Sequence, residues 1–346
     1  MSRSSLLTAS LAAVCAVFCV IRVAAAAQVP QAASQNGAQT VIERAQAQAR
    51  AAAVPAGAER RLVTVGGVER NYWLLRPRGV STPAPVVFIL HGGAVADGRQ
   101  TFRYDFQTLG ERDGVVTVHP SGVGAGWNDG RDTAFLLGRG GAADDVAFFR
   151  AMIDGLIAEG IADPARIHIT GGSNGGMMTM RLVCELADRI VAAAPFVSLL
   201  PTKLQDRCVP SRPVPILLVL GTADRLMPFD GGAVAAMSGD DRGTVLGAAE
   251  TLMFWRRQNR CGAAVIRELL ADADPADGTR VRSERGTDCA AAVEALIVEG
   301  GGHRLPGEAR REYADQRLSA LSGVSSRDID GREFVWKFLL AQSKPR

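Results

Sequence analysis

Five residues constrain this chain more than any others: Gly171-Gly172-Ser173-Asn174-Gly175. They follow a short strand, Arg166–Thr170, and lead without a spacer into a helical pattern from about Asn174 to Ala187. A strand that turns straight into a helix needs residues without side chains on both flanks of the turn, and glycines at 171 and 175 meet that need. The serine between them is then forced outward, above the carboxyl edge of the sheet. The helix N-terminus beside it favours developing negative charge. G-x-S-x-G occurs by chance in many chains, and its placement between strand and helix is what marks Ser173 as a candidate nucleophile.

A serine hydroxyl at neutral pH needs a base to take its proton. The chain offers four histidines. His168 lies inside the strand before the turn, where packing is the expected role. His119 ends the run Val115–Val118 at a proline corner. His91 opens His91-Gly92-Gly93, after the apolar run Val86–Leu90. His303 follows the last apolar run, Leu296–Val298, in Glu299-Gly300-Gly301-Gly302-His303. Only His303 falls where the chain order Ser…Asp/Glu…His of α/β-hydrolases puts the base. Between serine and histidine, Asp224 stands after the run Ile216–Leu220 in Gly221-Thr222-Ala223-Asp224. A carboxylate there would accept the Nδ1 proton of the histidine and fix its tautomer. Asp240, Asp241, Asp272 and Asp274 compete, all in polar, loop-like stretches. Two amides are needed for an oxyanion: that of Asn174, and that of Gly93 or Ala94 in the loop after Leu90. His91 is expected to brace that loop.

The rest of the chain fits one α/β domain from Glu59 to Arg346, a mostly parallel central sheet covered by helices on both faces. Arg61–Val65 and Arg70–Leu75 flank Gly66-Gly67 as a hairpin. Asp144–Glu159 is helical, with Phe149, Met152, Ile153, Leu156 and Ile157 on one face. Thr251–Arg260 and Glu333–Gln342 are further helices, and Ile190–Ala194 another strand.

Before this domain the chain is built for export. Arg3 precedes an apolar run, Leu6–Ile21, and Ala24–Ala27 supplies small residues for a peptidase, so residues 1–27 read as a signal peptide cleaved after Ala27. A retained anchor is the alternative, and Arg22 with the alanines argues against it. Residues 28–58, rich in Ala and Gln, form a flexible lead-in. The destination is secreted or periplasmic, with no stable membrane insertion once the signal is removed. Cys184, Cys208, Cys261 and Cys289 remain after cleavage, an even number for which disulfides are the expectation in an oxidising compartment. No C-x-x-C spacing points to a metal. The 39 Lys and Arg against 36 Asp and Glu form no basic block, so nothing favours nucleic acid as a partner.

His91-Gly92-Gly93, Gly122–Gly130, Asp144-Asp145-Val146, Gly172–Met178, Gly221–Asp224 and Gly300–His303 occur in one order over about residues 60–340. In this the chain resembles the polyhydroxybutyrate depolymerase and feruloyl esterase group, related to carbohydrate esterase family one. The resemblance implies hydrolysis of small or oligomeric carboxylic esters without metal or organic cofactor. It places Trp127 and Asn128 beside the substrate, with a Trp packed under a loop as the plain alternative. It also implies a Cys261–Cys289 bridge, with Cys184–Cys208 as the second bond. Two departures stand out. Ala94-Val95 follows Gly93 where the family usually continues with glycine, and the stretches Ala233–Val245 and Leu270–Ala290 look particular to this chain.

Two other classes carry such a serine. A peptidase of the prolyl-oligopeptidase kind shares the sheet and nucleophile but usually adds a β-propeller, for which no room is expected before Glu59. A catalytically silent hydrolase fold used for binding commonly lacks one of the three groups, and candidates for all three are here. No polymer-binding module is expected after the domain, which favours soluble esters over solid polyester.

Overall fold

A computed structural model describes residues 53–93, 97–124, 126–133, 143–235, 241–308 and 320–343. The expected signal peptide and most of the lead-in lie outside them, as do Ala94 and Asp240. The described chain forms a ten-stranded sheet in the order β1-β2-β4-β3-β5-β6-β7-β12-β11-β10. The central strands are β3 (Ala84–Leu90), β4 (Val116–Pro120), β5 (Ala162–Gly172), β6 (Ala192–Phe196), β7 (Ile216–Gly221) and β12 (Val293–Glu299). All neighbours among these six are parallel. The hairpin of β1 (Glu59–Val65) and β2 (Val68–Leu75) extends one edge antiparallel. At the other edge β11 (Arg280–Gly286) and β10 (Val265–Leu269) do the same.

The apolar runs of the sequence are the strands buried on both faces, and their alternation divides the core in two. Val86, Phe88 and Leu90 of β3 join one cluster, Val87 and Ile89 the other. Helices α2 (Asp145–Ala158), α3 (Asn174–Glu185) and α5 (Ala248–Gln258) cover the first face. The second is covered by α1 (Phe106–Asp113) and α6 (Gly331–Leu340), while a short α4 at Thr202–Gln205 adds Leu204 to the first. Helix α2 starts where expected, because the Asp144 side chain accepts from the Ala147 amide at 2.9 Å.

The sequence reading did not register α1, β10 or β11. Strand β11 reads Arg-Val-Arg-Ser-Glu-Arg-Gly, which carries no apolar alternation. Its fixed point is Glu284, which meets Arg256 and Arg267 at 3.1 Å each and also Arg282. Burial pushes the Glu284 carboxyl up, but these guanidinium groups outweigh it and hold it below its ordinary range.

Both disulfides form as paired from the resemblance, Cys184–Cys208 and Cys261–Cys289. The second joins the end of α5 to the end of β11 and closes the edge hairpin onto the body of the sheet. Replacing Cys261 and Cys289 together by serine is expected to lower stability by about 2–4 kcal/mol. A fall in the urea midpoint would show it, and an unchanged midpoint would mean that the hairpin is held by the Glu284 cluster alone.

Candidate active site

Strand β5 enters α3 through Ser173, whose backbone (φ 57°, ψ −122°) is one that side chains other than glycine rarely adopt. The turn is enforced on all sides. A Cβ at Gly175 would lie 2.4 Å from the His91 carbonyl oxygen and 2.7 Å from that of Leu90. One at Gly172 would enter the Phe196 ring at 2.4 Å. The Ser173 amide donates to the Phe196 carbonyl at 3.0 Å, tying the turn to the end of β6. A serine at a helix start ordinarily spends its hydroxyl on capping. Here no such bond forms, so Ser173 Oγ is left for other work.

Two strands along, Asp224 follows β7, and His303 follows β12 one strand further. All three residues therefore stand at the carboxyl edge of the parallel strands. His303 Nδ1 meets Asp224 Oδ2 at 2.6 Å. Asp224 is buried, and its other oxygen accepts from the amides of Leu226 and Met227, both at 2.8 Å. The glycine run before His303 is needed for passage. Gly301 O lies 2.4 Å from a Cβ built at Gly221, and a Cβ at Gly302 would meet Ser322 O at 2.3 Å. With Nδ1 donating to Asp224, the Nε2 atom of His303 is the free face of the ring. Among the described residues neither Ser173 Oγ nor His303 Nε2 is hydrogen-bonded, to each other or to a third group. Such bonds commonly tighten only when substrate is bound. The competing acids are engaged elsewhere: Asp241 with the Gly243 amide, Asp272 with Arg280, and Asp274 with Arg327.

The loop after β3 lies against the turn. A Cβ at Gly92 would sit 3.6 Å from Ser173 Cβ, and one at Gly126 would sit 3.6 Å from Gly93 Cα and 2.2 Å from Asn174 Oδ1. Gly93 and Asn174 are thus brought to one place, with the Asn174 amide at the first position of α3, where helix N–H groups lack intrahelical partners. His91 braces the loop. Its Nε2 accepts from the Gly122 amide at 3.0 Å, so Nδ1 carries the proton and donates to Gly92 O at 2.8 Å. That arrangement needs a neutral ring, and burial lowers the His91 pKa to about 4.

The structure corrects the placement of Trp127 beside the substrate. Trp127 is fully buried, its ring stacked on His91 at 4.6 Å and its Nε1–H donating to His91 O at 2.9 Å. It packs beneath the loop and offers no surface to a ligand. Asn128 faces a different region. Its carbonyl accepts from Arg181 Nη1 at 2.6 Å, and it lines a cleft of about 700 Å³ with Arg150, Asp154 and Glu185. Arg181 is eight residues along α3 from Ser173, about 12 Å at the helical rise.

Sequence reasoning missed the ion pairs that hold this loop. Arg70 on β2 meets Asp145 at 2.7 Å, and Asp145 accepts from the Asn128 amide at 2.8 Å. Asp129 meets Arg131 at 2.7 Å, and both are buried. The signal available was the pair of acidic motifs, Asn128-Asp129-Gly130 and Asp144-Asp145-Val146, noted only as marks of resemblance.

The other histidines give a pH prediction. Burial lowers His119 and His168 to about 3, as it lowers His91 to about 4. The unfolded chain binds protons on these residues near pH 6.5 and the folded chain does not, so stability is full above pH 6.5 and falls as pH drops toward 4. Each contributes about 1.4 kcal/mol per pH unit to that slope. Urea unfolding at pH 7 and pH 4.5 measures it, and equal stabilities would contradict it.

Residues 100–212 match the prolyl oligopeptidase family, a stretch that contains Ser173. The chain is 30% identical over 257 residues to "Putative esterase NocK" of Nocardia uniformis subsp. tsuyamanensis, covering 71% of this chain and 74% of that one. It is 32% identical over 197 residues to feruloyl esterase B of Piromyces equi, covering 52% of this chain and 35% of that longer one. The acetyl xylan esterase of Aspergillus awamori shares the fold, with a TM-score of 0.50 at 15% identity over 76% of this chain and 98% of that one. The chain has the α/β-hydrolase fold, belongs to one family with that putative esterase, and is a carboxylic ester hydrolase.

Proposed function

We propose that the enzyme works by acyl transfer through Ser173. Ser173 Oγ attacks the ester carbonyl as His303 Nε2 takes its proton, and the oxyanion rests on the amides of Asn174 and of Gly93 or Ala94. His303 returns the proton to the departing alkoxide, and water then releases the acid by the reverse steps. Asp224 holds the tautomer and balances the imidazolium. The observation that carries this reading is the 2.6 Å contact from His303 Nδ1 to Asp224, made at the sheet edge from which Ser173 projects.

The substrates we propose are soluble esters of aromatic acids or acetylated sugars. The relatives named feruloyl esterase and acetylxylan esterase support this choice over polyhydroxybutyrate. Export through residues 1–27 to an oxidising compartment accords with two disulfides in the catalytic domain. A panel of methyl ferulate, acetylated xylo-oligosaccharides, hydroxybutyrate oligomers and short peptides tests the reading. Turnover of the first two is expected. Cleavage of the peptides alone would favour a peptidase, the second reading that the match over residues 100–212 supports.

A further inference from the structure

The Asn174 side chain is fully engaged beneath the site. Its Oδ1 accepts from the Trp127 amide at 2.8 Å, and its Nδ2 donates to Trp127 O at 3.1 Å and to Asp129 Oδ2 at 2.5 Å. Its own backbone N–H makes no bond within the helix, and this is the amide assigned to the oxyanion. Whatever fixes the side chain therefore fixes the donor. Asp129 is wholly buried and is gripped by Arg131, whose backbone amide and Nε reach Oδ1 at 3.1 Å while Nε and Nη2 reach Oδ2 at 2.9 and 2.7 Å.

A buried carboxylate behind an oxyanion site would by itself oppose the charge that forms there. It is tolerable only when neutralised. Arg131 supplies that neutralisation and reaches further. Its Nη1 donates to Arg242 O at 2.8 Å, in the arm leading into β9 (Thr244–Val245). Gly243, at φ 77°, lies so close that a Cβ there would meet Thr133 Cγ2 at 2.8 Å and Arg131 Cβ at 3.1 Å. Strand β9 pairs with β8 (Gly232–Ala233), and the Ala235 amide just after β8 donates to Leu226 O at 3.0 Å. The Leu226 amide in turn donates to Asp224.

We propose that Asp129, clamped by Arg131, is a positioning residue that sets the oxyanion amide of Asn174 and ties it to the β8–β9 hairpin. This rests on the acyl-transfer reading above. Through that hairpin the segment particular to this chain touches both the oxyanion side and the acid side of the site. It tunes the rate without contacting the reacting atoms.

The test uses the whole enzyme with p-nitrophenyl acetate as substrate and a trifluoromethyl ketone, whose tetrahedral adduct carries an oxyanion, as inhibitor. Asp129→Asn keeps the shape and removes the charge. Its kcat is expected to fall about 10- to 100-fold, the scale of a displacement of about 1 Å, with KM within about twofold. The inhibitor should weaken by the same factor as kcat/KM, which loss of stability alone would not produce. Arg131→Lys, which keeps the cation, should retain more activity than Arg131→Met, which leaves the anion unpaired. If Arg131→Met fails to fold, the double variant with Asp129→Asn removes both charges and should fold and stay slow. Wild-type kcat and inhibitor affinity in Asp129→Asn or in the double variant would overturn the proposal while a fluorophosphonate still labels Ser173 in the wild type. Absence of that label in the wild type would overturn the acyl-transfer reading and this proposal together.

Discussion

Ser173→Ala is expected to lower kcat toward p-nitrophenyl esters by about 10⁵- to 10⁶-fold, the scale seen when the nucleophile of a triad is removed. The reason lies in the turn. Ser173 is held at φ 57° by neighbours that leave no alternative path for the chain, and it spends no hydrogen bond on capping α3. Alanine can occupy the same turn, because the glycines at 171, 172 and 175 and the Phe196 contact are untouched. Thermal unfolding should therefore stay within a few degrees of the wild type. Loss of activity with the fold retained would assign the effect to the hydroxyl. Full turnover in this variant would remove Ser173 from the mechanism.

Asp224→Asn is expected to cost about 10⁴-fold in kcat, for a reason that can be followed atom by atom. Asp224 Oδ1 accepts from the amides of Leu226 and Met227, and Oδ2 accepts from His303 Nδ1. An asparagine has only one oxygen, and the two fixed amides will claim it. Its NH₂ group then faces His303 Nδ1 and turns that atom into an acceptor. The proton moves to Nε2, the nitrogen that must take the serine proton, and the base is disabled without any loss of packing. Steady-state kinetics on the purified variant measures this. A kcat within tenfold of the wild type would mean that Asp224 only shapes its turn.

How far the sequence carries the argument depends on where the determining forces are local. The placement of Ser173, Asp224 and His303 at one sheet edge was legible because each follows a strand at a turn that contains glycine, and the residues that dictate the turn adjoin it in the chain. The strands β3 and β7 were legible as continuous apolar runs, because they are buried on both faces. Strand β10 was not, since it is largely exposed at the sheet edge, nor was β11, whose side chains are mostly charged and which is held by the pairing of Glu284 with three arginines. Trp127 shows the opposite failure. A tryptophan in a loop beside the site suggests a ligand contact, yet it stacks on His91, which precedes it by more than thirty residues. Asp129 and Asn174 are likewise far apart in the chain, and only the folded loop brings them together. Contacts of that range leave no local pattern to read.

The most direct test of the account is covalent labelling by a fluorophosphonate, followed by mass analysis of the peptide that contains Ser173. The account predicts one adduct per chain, on Ser173, formed rapidly in the wild type and suppressed in His303→Ala, where no base remains to take the proton. An adduct on another residue, or labelling of Ser173 at the same rate without His303, would contradict it.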